Sequence, residues 1–99
     1  MIVVAGTVRV RPERRAEAVR VAVAMAEATR AEPGCLSYRF AADLGDPNTL
    51  LVFEEWEDDA SLARHFETEH MTSFRRAVPD LVAGPAAIRR YVVDQVATM

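Results

Sequence analysis

The chain of 99 residues predicts one α+β domain, a ferredoxin-like sandwich in the order β-α-β-β-α-β, with helices covering one face of a four-stranded sheet. Three observations carry this expectation. Strand-like runs of β-branched and aromatic residues alternate with stretches whose apolar residues recur at helical spacing. Pro33-Gly34 and Asp46-Pro47-Asn48 punctuate the middle of the chain with turn chemistry, marking out a hairpin there. Hydrophobic residues make up 51% of the chain and charged residues 27%, the balance of a globular domain at a length that holds a single core.

Each element follows from its pattern. Ile2 to Val10 is rich in Val and Thr and alternates from Gly6 onward, which reads as a first strand. Pro12 opens a helix over about Glu13 to Ala31, on which Val19, Ala22, Val23 and Ala26 share the expected sheet-facing side. Pro33-Gly34 turns the chain into a second strand, Cys35 to Ala42, with Leu36, Tyr38 and Phe40 on one face and Cys35, Ser37 and Arg39 on the other. Thr49 to Trp56 forms a third strand with Leu50, Val52, Glu54 and Trp56 on one side and Leu51, Phe53 and Glu55 on the other. Both sides are largely apolar, so the strand is expected at the centre of the sheet. Asp58 or Asp59 caps a short helix carrying Leu62, His65 and Phe66, and Thr68 starts another with His70, Met71, Phe74 and Val78, which Pro79 should end or distort. Gly84-Pro85 leads into a last strand, Ile88 to Val96. Apolar side chains on both faces of the sheet call for cover on the side away from the helices, and a second copy of the chain would supply it.

Composition narrows the function. Twelve basic against 15 acidic residues give a net charge of −3, with no Lys/Arg stripe to neutralise phosphates, which argues against nucleic acid as a partner. The apolar start MIVVAG runs quickly into Arg9, Arg11 and Arg14, too short for a signal segment or a membrane span, so a cytoplasmic address and no membrane partner are expected. One cysteine, Cys35, forms no internal disulfide; it reads as a small buried hydrophobe rather than a nucleophile. Spacings for a zinc site, a phosphate loop, a dinucleotide fold or a Ser-His-Asp order are absent.

The residues able to carry chemistry gather between Glu32 and Phe74. His65 is turned toward the sheet by its spacing from Leu62 and Phe66, as a proton acceptor or as a core histidine bonded to Glu54 or a backbone carbonyl. Trp56 ends its strand beside an acidic cluster, as a core or interface anchor, as a ring stacked on a ligand, or both. Glu54 shares the face of Trp56 and must find a donor, for which His65, Arg64 or a backbone N–H are candidates. Tyr38 offers a hydroxyl to a phenolic or keto oxygen, or packs as a core tyrosine. His70, at a helix start where the dipole disfavours an imidazolium, is expected neutral and hydrogen-bonding. Arg75 or Arg76 is available to an anionic substrate or to solvent.

The succession EPGCLSYRF, LLVFEEWED and SLARHFETEHMTSF resembles the antibiotic biosynthesis monooxygenase family, whose members carry a Glu-Pro-Gly-Cys or similar turn, an E-x-W strand end and a following L-x-x-H helix. The resemblance spans nearly the whole chain and looks closest to the family's small quinol monooxygenase branch. It implies a homodimer built sheet to sheet. It also implies oxygenation of a small phenolic or quinol molecule by dioxygen as co-substrate, without flavin, haem or metal. On that reading His65 is the base, Tyr38 and His70 bind oxygen atoms, Trp56 with Phe40, Phe53 and Phe66 forms an aromatic wall, and Glu54 and Arg75 complete the substrate site. Two branches fit less well. Val52 stands where polyketide oxygenases of the family carry a substrate-holding Asn, and Gly6-Thr7 and Arg75-Arg76 stand near the positions of the haem-degrading branch's Asn and His. The paired histidines of RHFETEHM are also similar to a branch that isomerises a small phosphorylated ketone by acid–base chemistry, for which Arg39, Arg64 or Arg75 would hold the phosphate. A non-catalytic dimeric binder of a small aromatic ligand is the third reading.

Overall fold

The computed structural model describes residues 1–99. The elements are β1 (Ile2–Arg9), α1 (Arg15–Arg30), β2 (Cys35–Asp43), β3 (Asp46–Trp56), α2 (Asp59–His65), α3 (Glu69–Leu81) and β4 (Ala87–Val92), with a 3-10 turn at Pro12–Arg14 leading into α1. The four strands form one antiparallel sheet in the order β2-β3-β1-β4, and the predicted β-α-β-β-α-β sandwich is the fold observed.

Register decides which side chains meet. Glu54 on β3 lies opposite Tyr38 on β2 and Val4 on β1, and Trp56 lies opposite Ile2 and Cys35. Leu50, Val52, Glu54 and Trp56 are buried beneath the helices, whereas Leu51 and Phe53 are exposed on the other face, as the alternation of the third strand predicts. The main core joins Ile2, Met25, Ala26, Tyr38, Val52, Trp56 and Leu62. A second cluster, Val10, Ala18, Leu50 and Leu81, closes the opposite end of the helix-covered layer.

Several local expectations are corrected. The pairing slips between Cys35 and Ser37, so Cys35 faces the core and Leu36, at the bulge, is 54% exposed instead of sharing the face of Tyr38. On α1 the buried positions are Ala18, Ala22, Met25, Ala26 and Thr29, and Val23 points outward, because the small alanines let the helix lie close to the sheet while Met25 fills the remaining space. The hairpin turns at Leu44-Gly45, so Asp46-Pro47-Asn48 belongs to the start of β3; Asp46 accepts from the Asn48 N–H and the Thr49 hydroxyl there. Pro79 does not end α3: the helix continues to Leu81, which is buried with Val10, Ala18 and Leu50. β4 stops at Val92 rather than Val96 and every residue in it is exposed, as befits an edge strand.

Two caps fix the helices that carry the histidines. Asp58 accepts from the Ser61 N–H at 2.8 Å at the start of α2, and Thr68 accepts from the Met71 N–H at 3.3 Å at the start of α3. The turn entering β2 depends on Gly34, with φ +81°, whose carbonyl accepts from the Glu57 N–H at 2.9 Å. A Cβ there would stand 2.0 Å from the Ser61 hydroxyl oxygen. Gly34→Ala is therefore expected to destabilise the domain by roughly 2 kcal/mol or more, measured by urea unfolding, from combined backbone strain and overlap with α2.

Candidate active site

Between the helices and the helix-facing side of the sheet lies a cavity of about 280 Å³. Of its 19 lining residues 17 are hydrophobic, so its chemistry rests on few polar groups: Glu54, His65 and the hydroxyl of Tyr38. All three lie at one end, where the Glu54–Tyr38 pair of the sheet passes beneath α2. The exposed Phe66 and Ile88 also line the cavity and mark its open side, toward the edge strand β4.

His65 comes to this end by the predicted route. The α2 spacing turns it inward, where it is 1% exposed, with its ring centroid 4.8 Å from Trp56 and 5.7 Å from Tyr38. Its partner is neither Glu54 nor a backbone carbonyl but Glu32, from the turn before β2: His65 Nδ1 lies 2.7 Å from Glu32 Oε2. The same oxygen lies 2.6 Å from Nε2 of His70 on α3. Because an ionised carboxylate only accepts, each imidazole presents an N–H to it, and the neutral His65 tautomer so selected leaves a lone pair on Nε2. Burial lowers the pKa of His65, and the hydrogen bond and charge of Glu32 raise it in partial compensation. The result is a neutral imidazole held in one orientation.

Glu54 is satisfied by Trp56, whose indole Nε1–H donates to Glu54 Oε1 at 2.9 Å, and not by His65, Arg64 or a backbone N–H. Burial pushes the Glu54 carboxyl up to about 7, against the opposing pull of the Trp56 hydrogen bond. Around neutral pH it therefore exists in both forms and can donate or accept a proton. Burial, then the neighbouring Glu54 charge, raises the Tyr38 phenol, which stays a neutral O–H.

The remaining predicted site residues divide. Phe40 and Phe66 line the cavity, as expected. Trp56 is fully buried and does not line it; its hydrogen bond to the cavity's polar groups is the one it donates to Glu54. Phe53 is on the far face of the sheet, outside the cavity, because β3 alternates. Arg75 is exposed, donating to the Phe66 carbonyl at 3.1 Å with its guanidinium over the Phe66 ring, and does not reach the cavity. His70 lies outside this cavity and is 28% exposed; it meets the interior through Glu32 and through its ring, whose centroid is 6.0 Å from that of His65.

Glu32, His65 and His70 place three donor atoms within 4.8 Å of one another, a two-histidine, one-carboxylate set of a type that divalent metals use. The two N···O distances of 2.6 and 2.7 Å are those of hydrogen bonds.

This geometry, an apolar sheet-and-helix cavity with a carboxylate-oriented histidine at one end, coincides with a family assignment. The antibiotic biosynthesis monooxygenase family matches residues 1–77. The chain belongs to that family. It is 39% identical over 98 residues to the protein sll1783 of Synechocystis, covering 99% of this chain and 67% of that protein. It is 32% identical over 90 residues to YcnE of Bacillus subtilis, covering 91% and 95% of the two chains. A crystal structure from Deinococcus radiodurans that carries the family's description superposes with a TM-score of 0.92 at 28% identity, over 100% of this chain and 98% of that one. These relationships support a small-molecule monooxygenase-type function.

Glu32 is the residue that sequence reasoning missed. Only its place in the Glu-Pro-Gly turn marked it, and its separations of 33 and 38 residues from its partners carry no local pattern.

The Glu54 carboxyl sets a testable pH dependence. Its folded value of about 7 exceeds the ordinary 4.5, so the folded state binds more protons than the unfolded chain between those values. The stability it contributes is fully present below pH 4.5 and is lost as the pH rises through about 7. In urea unfolding, wild type should lose roughly 3 kcal/mol relative to Glu54→Gln across that window. Parallel pH profiles for the two proteins would contradict the assignment.

Proposed function

We propose that the chain is a cofactor-independent monooxygenase that oxidises a small phenolic or quinol substrate with dioxygen. The carrying observation is the pairing of His65 Nδ1 with Glu32 Oε2 in a histidine that lines the same apolar cavity as Tyr38 and Glu54, a pairing that leaves Nε2 to accept a proton.

The chemistry balances without an external reductant. His65 Nε2 takes the proton of the substrate hydroxyl, and Glu32 stabilises the resulting imidazolium through Nδ1–H. The electron-rich oxyanion donates to dioxygen, and a carbon–oxygen bond forms at the ring. The peroxide oxygen takes a proton, the O–O bond breaks, and water leaves with one oxygen while the other stays on the ring. A quinol and dioxygen thus give a hydroxyquinone and water, the quinol supplying all the electrons. Tyr38 donates to the substrate oxygen, and Glu54, when protonated, is positioned to supply the peroxide proton. The apolar lining keeps bulk water from the intermediate.

The isomerase reading is weaker on this geometry, since no Arg lines the cavity to receive a phosphate. A further part of the proposal is a homodimer formed through the open sheet face. Leu51, Phe53 and Tyr91, at 39%, 43% and 46% exposure, leave apolar surface there that a second copy would cover.

The test is oxygen consumption by metal-stripped protein over a panel of quinols and phenols, corrected for autoxidation. His65→Ala should lower the protein-dependent rate by about 10²–10⁴-fold with the fold intact by circular dichroism. No uptake above autoxidation would remove the oxygenase reading and leave that of a binder.

A further inference from the structure

The cavity is asymmetric along the strands, and this bears on what fills it. Its polar groups occupy only the Glu54 end. From Glu54 it extends past Val52 to Leu50 along β3, four residues of strand or about 13 Å. That is longer than a single phenolic ring. The distal part is walled by Val8, Ala18, Val78 and Leu81, with no charged residue and no Asn, Gln, Ser or Thr among its lining.

We propose that the substrate is a phenol or quinol carrying an extended apolar substituent, whose hydroxyl sits among Tyr38, Glu54 and His65 while its hydrocarbon part lies over Val52 and Leu50 toward Leu81. This rests on the reading above for the reacting head and adds the chemistry of the rest of the molecule. A hydroxyl placed anywhere else in the cavity would lose its hydrogen bonds, because the distal walls offer none. An unsubstituted ring bound at the polar end would leave the distal apolar volume unfilled. A carboxylate or phosphate on the tail is disfavoured for the same reason: it would be buried without a cation. The open side near Phe66 and Ile88 admits such a molecule alongside the edge strand.

The experiment is calorimetric titration of the intact protein with phenol and its para-ethyl, para-butyl, para-hexyl and para-octyl derivatives, with a para-carboxybutyl phenol as the charged control. Each added methylene that enters the cavity should tighten binding by about fourfold, until the distal end is reached and the series levels off. The charged control should bind at least about tenfold more weakly than its alkyl counterpart. Ala18→Leu, which fills part of the distal end, should make the series level off at a shorter chain; Val78→Phe serves the same purpose should Ala18→Leu fail to fold. Affinity independent of chain length, or a plateau that neither variant moves, overturns the proposal. Its failure is separable from that of the oxygenase reading. A chain-length series without oxygen uptake keeps the tail site and removes the reaction, and uptake indifferent to chain length does the reverse.

Discussion

One carboxylate oxygen ties the site together. Glu32 Oε2 accepts from His65 and His70 at once, joining the turn before β2 to α2 and α3 through partners 33 and 38 residues further along the chain. Without it His65 would be a nearly fully buried imidazole without a partner at Nδ1, an unfavourable state that only a rotated ring or an opened helix could relieve. With it, the tautomer is fixed and Nε2 keeps its lone pair in a histidine that lines the cavity. The same contact satisfies a buried polar group in the native fold and, on the proposed function, prepares a base for a proton.

A second buried pair answers a related constraint. Placing Glu54 on the helix-covered face of β3 puts an ionisable group where the neighbours along the strand are Val52 and Trp56. The indole N–H supplies one hydrogen bond and burial keeps the proton affinity high, so the two carboxylates of the site act differently. Glu32 faces two N–H donors and orients them. Glu54 faces one donor and an apolar space, and exchanges a proton near neutrality. Tyr38, raised by burial and by Glu54, remains a donor throughout.

Much of this was legible in the sequence because it depends on periodicity. The alternation in Leu50 to Trp56 placed Glu54 and Trp56 on the buried face, and the Leu62–His65–Phe66 spacing turned His65 inward. What was hidden depends on long-range register. The bulge at Leu36 shifts which residues of β2 face the core, and no local signal announces it. The partner choices of His65 and Glu54 were misassigned because a turn residue, Glu32, reaches across the domain, and because the Trp56 side chain folds back two residues along its own strand. Arg75, which the sequence left open to an anionic substrate or to solvent and the family resemblance put in the site, is held outside it by the Phe66 ring and carbonyl. The inward side of α1 was only half right for a packing reason: alanines, weak in hydrophobic patterning, form the close-contact face, while the bulkier Val23 remains outside.

The most direct test of this account is the tautomer of His65, read from the two ring-nitrogen chemical shifts and their proton couplings in ¹⁵N-labelled protein near neutral pH. The account predicts a neutral imidazole protonated at Nδ1 with Nε2 bare, and a loss of that preference in Glu32→Ala. A His65 protonated at Nε2 in the wild type, or a tautomer indifferent to Glu32, would contradict it.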